Sequence, residues 1–289
     1  MPDWSSIFQQ LEHNGVELSA DASIAPVSGG DISAAWRLPT ASGDLFVKTG
    51  PPSAEDMFAA EADGLEEIAK TNTIRVPRVV ASGQGDSAVF LALEWLPMES
   101  PDAAVETRLG ERLVAMHRVS KPRFGWHRNN TIGLTLQTNS WADDWVAFFR
   151  EQRLSLQLDL AAANGFAGEL QERGARLLKR LPIYFEGTEI QASLLHGDLW
   201  SGNWACSNGE PVIFDPAVYF GDRESDIAMT RLFGGFGKAF YEAYESSWPL
   251  PDGHQQRQRL YQLYHVLNHL NLFGSAYHNR ALSLIDELL

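Results

Sequence analysis

The sequence predicts an α+β protein in which short strands come first and helices later. Residues 24–27, 32–38 and 45–48 are short apolar-rich runs separated by the turns Ser28-Gly29-Gly30-Asp31 and Ser42-Gly43-Asp44, the pattern of strands joined by tight turns. From Glu106 onward the period changes: Leu109, Leu113, Val114 and Met116 recur at helical spacing, and residues 260–273 are apolar around most of a helix circumference. Between these helical regions, residues 194–226 concentrate carboxylates and glycines in a stretch with no helical period.

Composition bounds the function. A chain of 289 residues with 44% apolar and 21% charged residues can bury a full core as one large or two smaller domains. The formal charge of −14 and the lack of any Lys/Arg cluster exclude nucleic acid and anionic membrane surfaces as expected partners. The first 15 residues lack a basic segment followed by an apolar one, and no run has the length needed to span a bilayer. One cysteine, Cys206, excludes an internal disulfide and a multi-cysteine metal site and fits a reducing cytoplasm; the expected state of Cys206 is a buried, inert thiol.

Taken in order, Trp4, Ile7, Phe8 and Leu11 predict an amphipathic helix ending near Asn14-Gly15. The Gly29-Gly30 turn offers backbone N–H groups to a phosphate, although most such turns are plain hairpins. Lys48 ends the strand LFVK. In the helix that follows, Met57, Glu61, Leu65 and Ile68 share one face. A carboxylate on an apolar stripe is costly unless a cation meets it, and Lys48 is the expected partner of Glu61. Pro77 marks residues 74–80 as an edge or entry segment. Residues 88–93 form a strongly apolar strand leading into Glu94-Trp95-Leu96-Pro97, a plausible hinge where Glu94 and Leu96 act through their peptide groups. His117 is expected to be a hydrogen-bonded core histidine. Residues 121–136 show no regular period. Asn139 or Ser140 is expected to cap a helix lined by Trp141, Trp145, Phe148 and Phe149, and residues 166–181 predict another. His265 and His269 lie one turn apart but lack a third ligand, which makes a metal site remote.

The stretch LLHGDLWSGNWACSNGEPVIFDPAVYFGDRESD carries the chemistry. Asp198 follows His-Gly, Asn203 comes five positions later, and Asp215 ends the apolar run Val212-Ile213-Phe214. This spacing resembles the protein-kinase catalytic loop, in which an Asp takes the hydroxyl proton, an Asn holds one magnesium, and the Asp of a following DFG holds the metals bridging the phosphates. Hard cations take oxygen ligands such as the Asp215 carboxylate and the Asn203 amide. Asp226 begins a further helix, where it either caps that helix or reaches back to the catalytic loop.

Together HGDLWSGNWA, FDPAVYFGDRESDIA, LFVK, the Glu61 helix and FGW…NSWADDWVAFFRE resemble the fructosamine kinase (ketosamine-3-kinase) family over nearly the whole chain. The resemblance implies a two-lobed protein-kinase-like fold: a nucleotide-binding lobe over residues 1–93 with antiparallel strands and one helix, a hinge at 94–97, and a mainly helical catalytic and substrate-binding lobe over 98–289. It implies ATP and Mg2+ as cofactors and phosphorylation of the 3-hydroxyl of a ketosamine, an amine or protein lysine carrying a rearranged sugar. By the same resemblance Asp198 is the catalytic base, Asn203 and Asp215 hold metal, and Lys48 and Glu61 position the nucleotide. Trp200, two residues after the base, either stacks on the acceptor or packs the loop, and Asp222 is a candidate acceptor contact beside Trp141. An aminoglycoside- or choline-type phosphotransferase would share this machinery, and a silent nucleotide-binding scaffold would keep only its outline. The sugar, the amine and the oligomeric state are left open.

Overall fold

A computed structural model describes residues 2–19, 23–27 and 33–289. Helix α1 (Trp4–His13) starts at Asp3, whose side chain accepts from Ser5 N–H, buries Ile7 and Leu11, and stops before Gly15, where φ is +81°. Strands β1 (Ala25–Val27), β2 (Ala34–Leu38), β3 (Leu45–Gly50), β4 (Val79–Gln84) and β5 (Val89–Glu94) form one sheet in the order β1-β2-β3-β5-β4. Every pairing in it is antiparallel.

The alternation along β5 explains its uniform burial. Phe90 and Ala92 face α1 and join Val47, Leu38 and Leu11 in a small core. Val89, Leu91 and Leu93 face the other way, onto Phe58, Leu65 and Ile68 of α2 (Glu55–Lys70), and this second core runs on without interruption into the rest of the molecule. A strand with both faces covered loses its polar alternation, which is why residues 88–93 are apolar throughout.

The larger lobe follows. Its elements are α3 (Ala103–His117), β6 (Ser120–Lys121), the hairpin β7 (Asn130–Ile132) and β8 (Thr135–Gln137), α4 (Trp145–Phe149), a π-helical turn at Arg150–Ser155, α5 (Leu156–Ala163) and α6 (Glu169–Arg180). Then come β9 (Ala192–Leu195), the hairpin β10 (Trp204–Ser207) and β11 (Glu210–Ile213), β12 (Tyr219–Gly221), α7 (Glu224–Thr230), α8 (Lys238–Ser247), α9 (His254–Phe273) and α10 (His278–Leu288). Strand β9 sits between β12 and β6 in a three-stranded sheet. No helix among the described residues is long and apolar enough to cross a membrane.

Three local expectations change. Beyond Pro77, β4 continues through Ser82-Gly83 to Gln84 as the edge strand, because its ladder with β5 pairs Gly83 with Phe90 and lays that ring against the glycine. The region read as aperiodic contains β7–β8, where Asn130 and Gln137 face inward beside Ile132, so the buried face is mostly polar and gives no apolar alternation. Asp144, rather than Asn139 or Ser140, caps the aromatic helix by accepting from Ala147 N–H at 2.7 Å, and Trp141 falls outside that helix.

Candidate active site

Residues distant in sequence meet where the two lobes face each other. Lys48, on β3 opposite Ala35 and Leu91, directs its ammonium at two carboxylates: Glu61 Oε1 on α2 and Asp215 Oδ1, each 2.7 Å away. Burial by itself would depress the Lys48 ammonium, but Asp215 and Glu61 outweigh it and hold the lysine above its ordinary value, fully charged. Burial raises Glu61, and the charge of Lys48 opposes that rise. Asp215 is the open member, its side chain 47% exposed.

The loop between β9 and β10 is held from behind. Asp226 of α7 accepts from His196 N–H at 2.7 Å through Oδ2 and from Gly197 N–H at 2.9 Å through Oδ1. His117 Nε2 lies 3.1 Å from the same Oδ2, and its Nδ1 lies 2.8 Å from the Tyr244 hydroxyl. Burial works against the Asp226 carboxylate, but these hydrogen bonds and the two histidines bring its value below the ordinary one. Of the two roles the sequence allowed Asp226, the backbone anchor is the one found, and His117 is the buried histidine expected. Gly197 has φ of +83°, and a Cβ there would lie 2.1 Å from the Ala217 carbonyl oxygen, so only glycine lets the loop pass.

Asn203 turns its amide nitrogen toward Asp198, 2.9 Å from the carbonyl and 3.4 Å from Oδ2, and its carbonyl oxygen accepts no hydrogen bond among the described residues. Its backbone carbonyl accepts from Phe214 N–H at 3.0 Å, which ties the loop to the strand end carrying Asp215. Asp215 itself adopts φ of +57°, a left-handed conformation uncommon outside glycine and asparagine. Burial, with the nearby carboxylates of Asp215 and Asp226, pushes the Asp198 carboxyl up to about 7. Poised there, Asp198 is partly ionised at neutral pH, and its carboxylate form can take a proton from a hydroxyl.

The remaining candidates divide. Leu96 is buried and its backbone N–H has no partner among the described residues, whereas Glu94 N–H donates to Arg78 O and its carboxylate lies 3.5 Å from Arg75. Gly29 and Gly30 lie outside the described residues. Trp200 is 36% exposed, folds over Gly202, and meets Phe233 edge to face at 6.3 Å. Phe233 lies 4.5 Å from the His269 ring, which touches Tyr277 and the exposed Phe273, so an aromatic line leaves the catalytic loop along α9. A cavity of about 420 Å³ opens beside Ser201 and carries Glu99 and Glu106 on its wall. Cys206 is buried with its thiol raised by burial, in keeping with an inert role.

Asp222 departs from expectation. Its carboxylate is buried, accepting from the Tyr261 hydroxyl and from Glu224 N–H at the start of α7, and is not presented to an acceptor. Its neighbours are internal too: Arg223 donates to the carbonyls of Trp248 and Pro249, and Glu224 forms a two-pronged pair with buried Arg257 at 2.8 and 2.9 Å. Three consecutive charges go inside because each finds its own partner: Asp222 the Tyr261 hydroxyl, Arg223 two backbone carbonyls, and Glu224 the guanidinium of Arg257, 33 positions away. No local signal marks Arg257, Tyr244 or Tyr261.

No group of three or more His, Cys, Asp or Glu side chains among the described residues forms a metal cluster. Magnesium needs none, since it commonly takes one or two carboxylates and completes its shell with nucleotide phosphates and water. The exposed Asp215 carboxylate and the unengaged Asn203 oxygen fit that requirement.

This geometry, on this fold, defines an ATP-dependent phosphotransferase of the protein-kinase-like class. A thermostable mutant of an aminoglycoside phosphotransferase, solved with ADP and hygromycin B, shares the fold, with a TM-score of 0.67 and 16% identity over 98% of this chain and 97% of its own. The family itself is narrower: the model of fructosamine kinase matches residues 3–289, and the chain belongs to that family. An assigned ketoamine kinase of Synechocystis is 42% identical over 99% of this chain and 97% of its own. The chloroplastic protein-ribulosamine 3-kinase of Arabidopsis thaliana is 41% identical over 92% of this chain and 82% of its own. An assigned fructosamine-3-kinase from Haemophilus somnus superposes with a TM-score of 0.89 at 30% identity, covering 99% and 97% of the two chains.

Proposed function

We propose that the protein transfers the terminal phosphoryl group of ATP to the 3-hydroxyl of a ketosamine. The observation carrying this reading is the convergence of Lys48 of β3, Glu61 of α2, Asp198 and Asn203 of the β9–β10 loop, and Asp215 just beyond β11 into one charged cluster. The nucleotide occupies the cleft between lobes joined at residues 94–97, with Leu96 N–H offered to the base and Lys48, steadied by Glu61, to the α- and β-phosphates. Asn203 and Asp215 would hold Mg2+, which when bound neutralises phosphate charge. Asp198 orients the acceptor hydroxyl and accepts its proton as the new O–P bond forms and the bond to the ADP oxygen breaks.

The acceptor side is read from Trp200 and its neighbours. A ketosamine carries a protonated secondary amine beside the sugar carbons, and ammonium groups are favoured over aromatic faces and near carboxylates. The line Trp200–Phe233–His269 and the cavity bearing Glu99 and Glu106 supply both. Asp222 has no part in this.

The test is phosphate transfer from MgATP to lysine-linked ribulosamine, erythrulosamine and fructosamine, with choline and an aminoglycoside as comparators. Transfer confined to the ketosamines supports the reading and identifies the sugar. Transfer to another amine alone overturns it.

A further inference from the structure

A chain of buried side-chain amides runs from Arg153 to the backbone just beyond Asp215. Arg153 lies in the π-helical turn, fully buried, with no carboxylate in ion-pair contact among the described residues. Its guanidinium donates to Asn139 Oδ1 at 2.7 Å. Asn139 Nδ2 donates to Asn130 Oδ1 at 2.9 Å, and Gln137 Nε2 donates to the same oxygen at 2.8 Å. The chain ends on two peptide oxygens: Asn130 Nδ2 donates to Val218 O at 2.7 Å and Gln137 Nε2 to Ala217 O at 3.0 Å. Tyr264 OH donates to Gln137 Oε1 at 2.7 Å, which fixes the orientation of that amide.

The arrangement leaves no amide free to flip. Asn130 and Gln137 are cross-strand partners at the open end of the β7–β8 hairpin, so both amides are presented from one rigid edge. On the opposite side, α2 packs Gly64 against Pro216 and Val218, a hypothetical Cβ there lying 3.4 and 3.2 Å from their side chains. Residues 216–218 are thus gripped between the helix bearing Glu61 and an amide edge polarised by a buried cation.

We propose that Asn130 and Gln137 are positioning residues for phosphoryl transfer: by fixing the peptide groups of Ala217 and Val218 they hold Asp215 in its left-handed conformation, with its carboxylate set for the cation. The inference rests on the reading of Asp215 as a metal ligand. A non-glycine residue at φ of +57° persists only where its surroundings over-determine it, and the carbonyls two and three residues further on are the groups this network grips.

The experiment compares Gln137→Met and Tyr264→Phe with Leu136→Ala, an exposed change on the same strand. For Gln137→Met the half-saturating Mg2+ concentration rises about 10-fold and kcat falls about 10-fold, while the acceptor KM changes less than about 2-fold, the scale seen when partners of a metal ligand are lost. In nucleotide-free protein, amide exchange across residues 214–218 accelerates about 10-fold while α9 stays protected. Tyr264→Phe, which removes only the orienting hydroxyl, gives about 3-fold changes in the same direction, and Leu136→Ala gives none. Should Gln137→Met not fold, Tyr264→Phe decides alone. Unchanged exchange at 214–218 and unchanged Mg2+ dependence, with lower thermal stability only, overturn the proposal. If the wild-type protein proves inactive with MgATP, the metal-ligand reading fails, yet the exchange measurement still reports whether the amides grip the segment.

Discussion

Replacing Asp198 with Asn should sharply lower turnover and stabilise the protein, and the stabilisation should appear only where Asp198 is ionised. Burial and the charges of Asp215 and Asp226 lift its carboxyl from an ordinary 3.8 to about 7. A group with a raised folded value binds its proton more tightly folded than unfolded. Stability therefore falls as pH rises from about 4 through about 7 and levels off above. At about 1.4 kcal/mol per pH unit the cost of ionisation is bounded near 4 kcal/mol, and partial exposure of the carboxylate reduces it to about 1–2 kcal/mol. Asn does not titrate. The variant should match wild type in melting temperature near pH 4 and exceed it by about 3–6 °C at pH 8.5. Turnover at pH 8 should drop about 10²- to 10⁴-fold with ATP affinity nearly unchanged. In wild type, kcat/KM should fall about 10-fold per pH unit below pH 7 as the base is protonated. Scanning calorimetry of both proteins across pH, beside initial rates, makes the measurement. A melting difference that is the same at pH 4 and pH 8.5, or retained turnover, would refute the reasoning.

Other substitutions separate the parts of the site. Lys48→Met leaves Glu61 and Asp215 facing each other without a cation and should cost about 2–3 kcal/mol in chemical denaturation, with loss of ATP binding by calorimetry; unchanged stability would show that the ion pair is inconsequential. Gly197→Ala forces a Cβ into the Ala217 carbonyl at a left-handed φ and should cost at least about 2 kcal/mol along with nearly all activity; a stable, active variant would contradict the loop geometry. Asp226→Asn should lower kcat about 10- to 100-fold with little change in either KM. Asp226 has a depressed folded value, so its contribution is present above about pH 4 and disappears in stronger acid, and the variant's melting deficit should shrink there. Trp200→Ala should raise the ketosamine KM about 10-fold and leave the ATP KM alone; an effect on ATP alone would remove Trp200 from the acceptor site.

What the sequence made legible depended on whether a residue's partner could be inferred locally. The Lys48–Glu61 pair was readable because a carboxylate on the apolar stripe Met57–Leu65–Ile68 demands a cation, and a lysine directly after the apolar run Leu45-Phe46-Val47 lay just upstream. That Asp198, Asn203 and Asp215 sit close together was readable because their kinase-like spacing lies in one continuous stretch. Asp222 was misread for the converse reason. A run of charged residues looks wet unless Arg257 and Tyr261 are known to wait inside, and nothing in either stretch points to the other. The β7–β8 hairpin was missed because it faces Asn130 and Gln137 inward, where period-based reading looks for apolar side chains.

The supports of the site are polar groups spent on backbone rather than on ligand. Asp226, with His117 behind it, holds the loop carrying Asp198, and the Asn130–Gln137 edge grips the segment following Asp215. Each support is rooted in the larger lobe, whereas Lys48 and Glu61 belong to the smaller one. The Lys48–Asp215 contact is therefore where the two frames meet: one side chain on the five-stranded sheet, the other on a backbone in a left-handed conformation. Phosphoryl transfer depends on placing fixed charges before the substrate arrives. Under the proposed function, supports in the larger lobe set Asp198 and Asp215 before the nucleotide phosphates are placed against them.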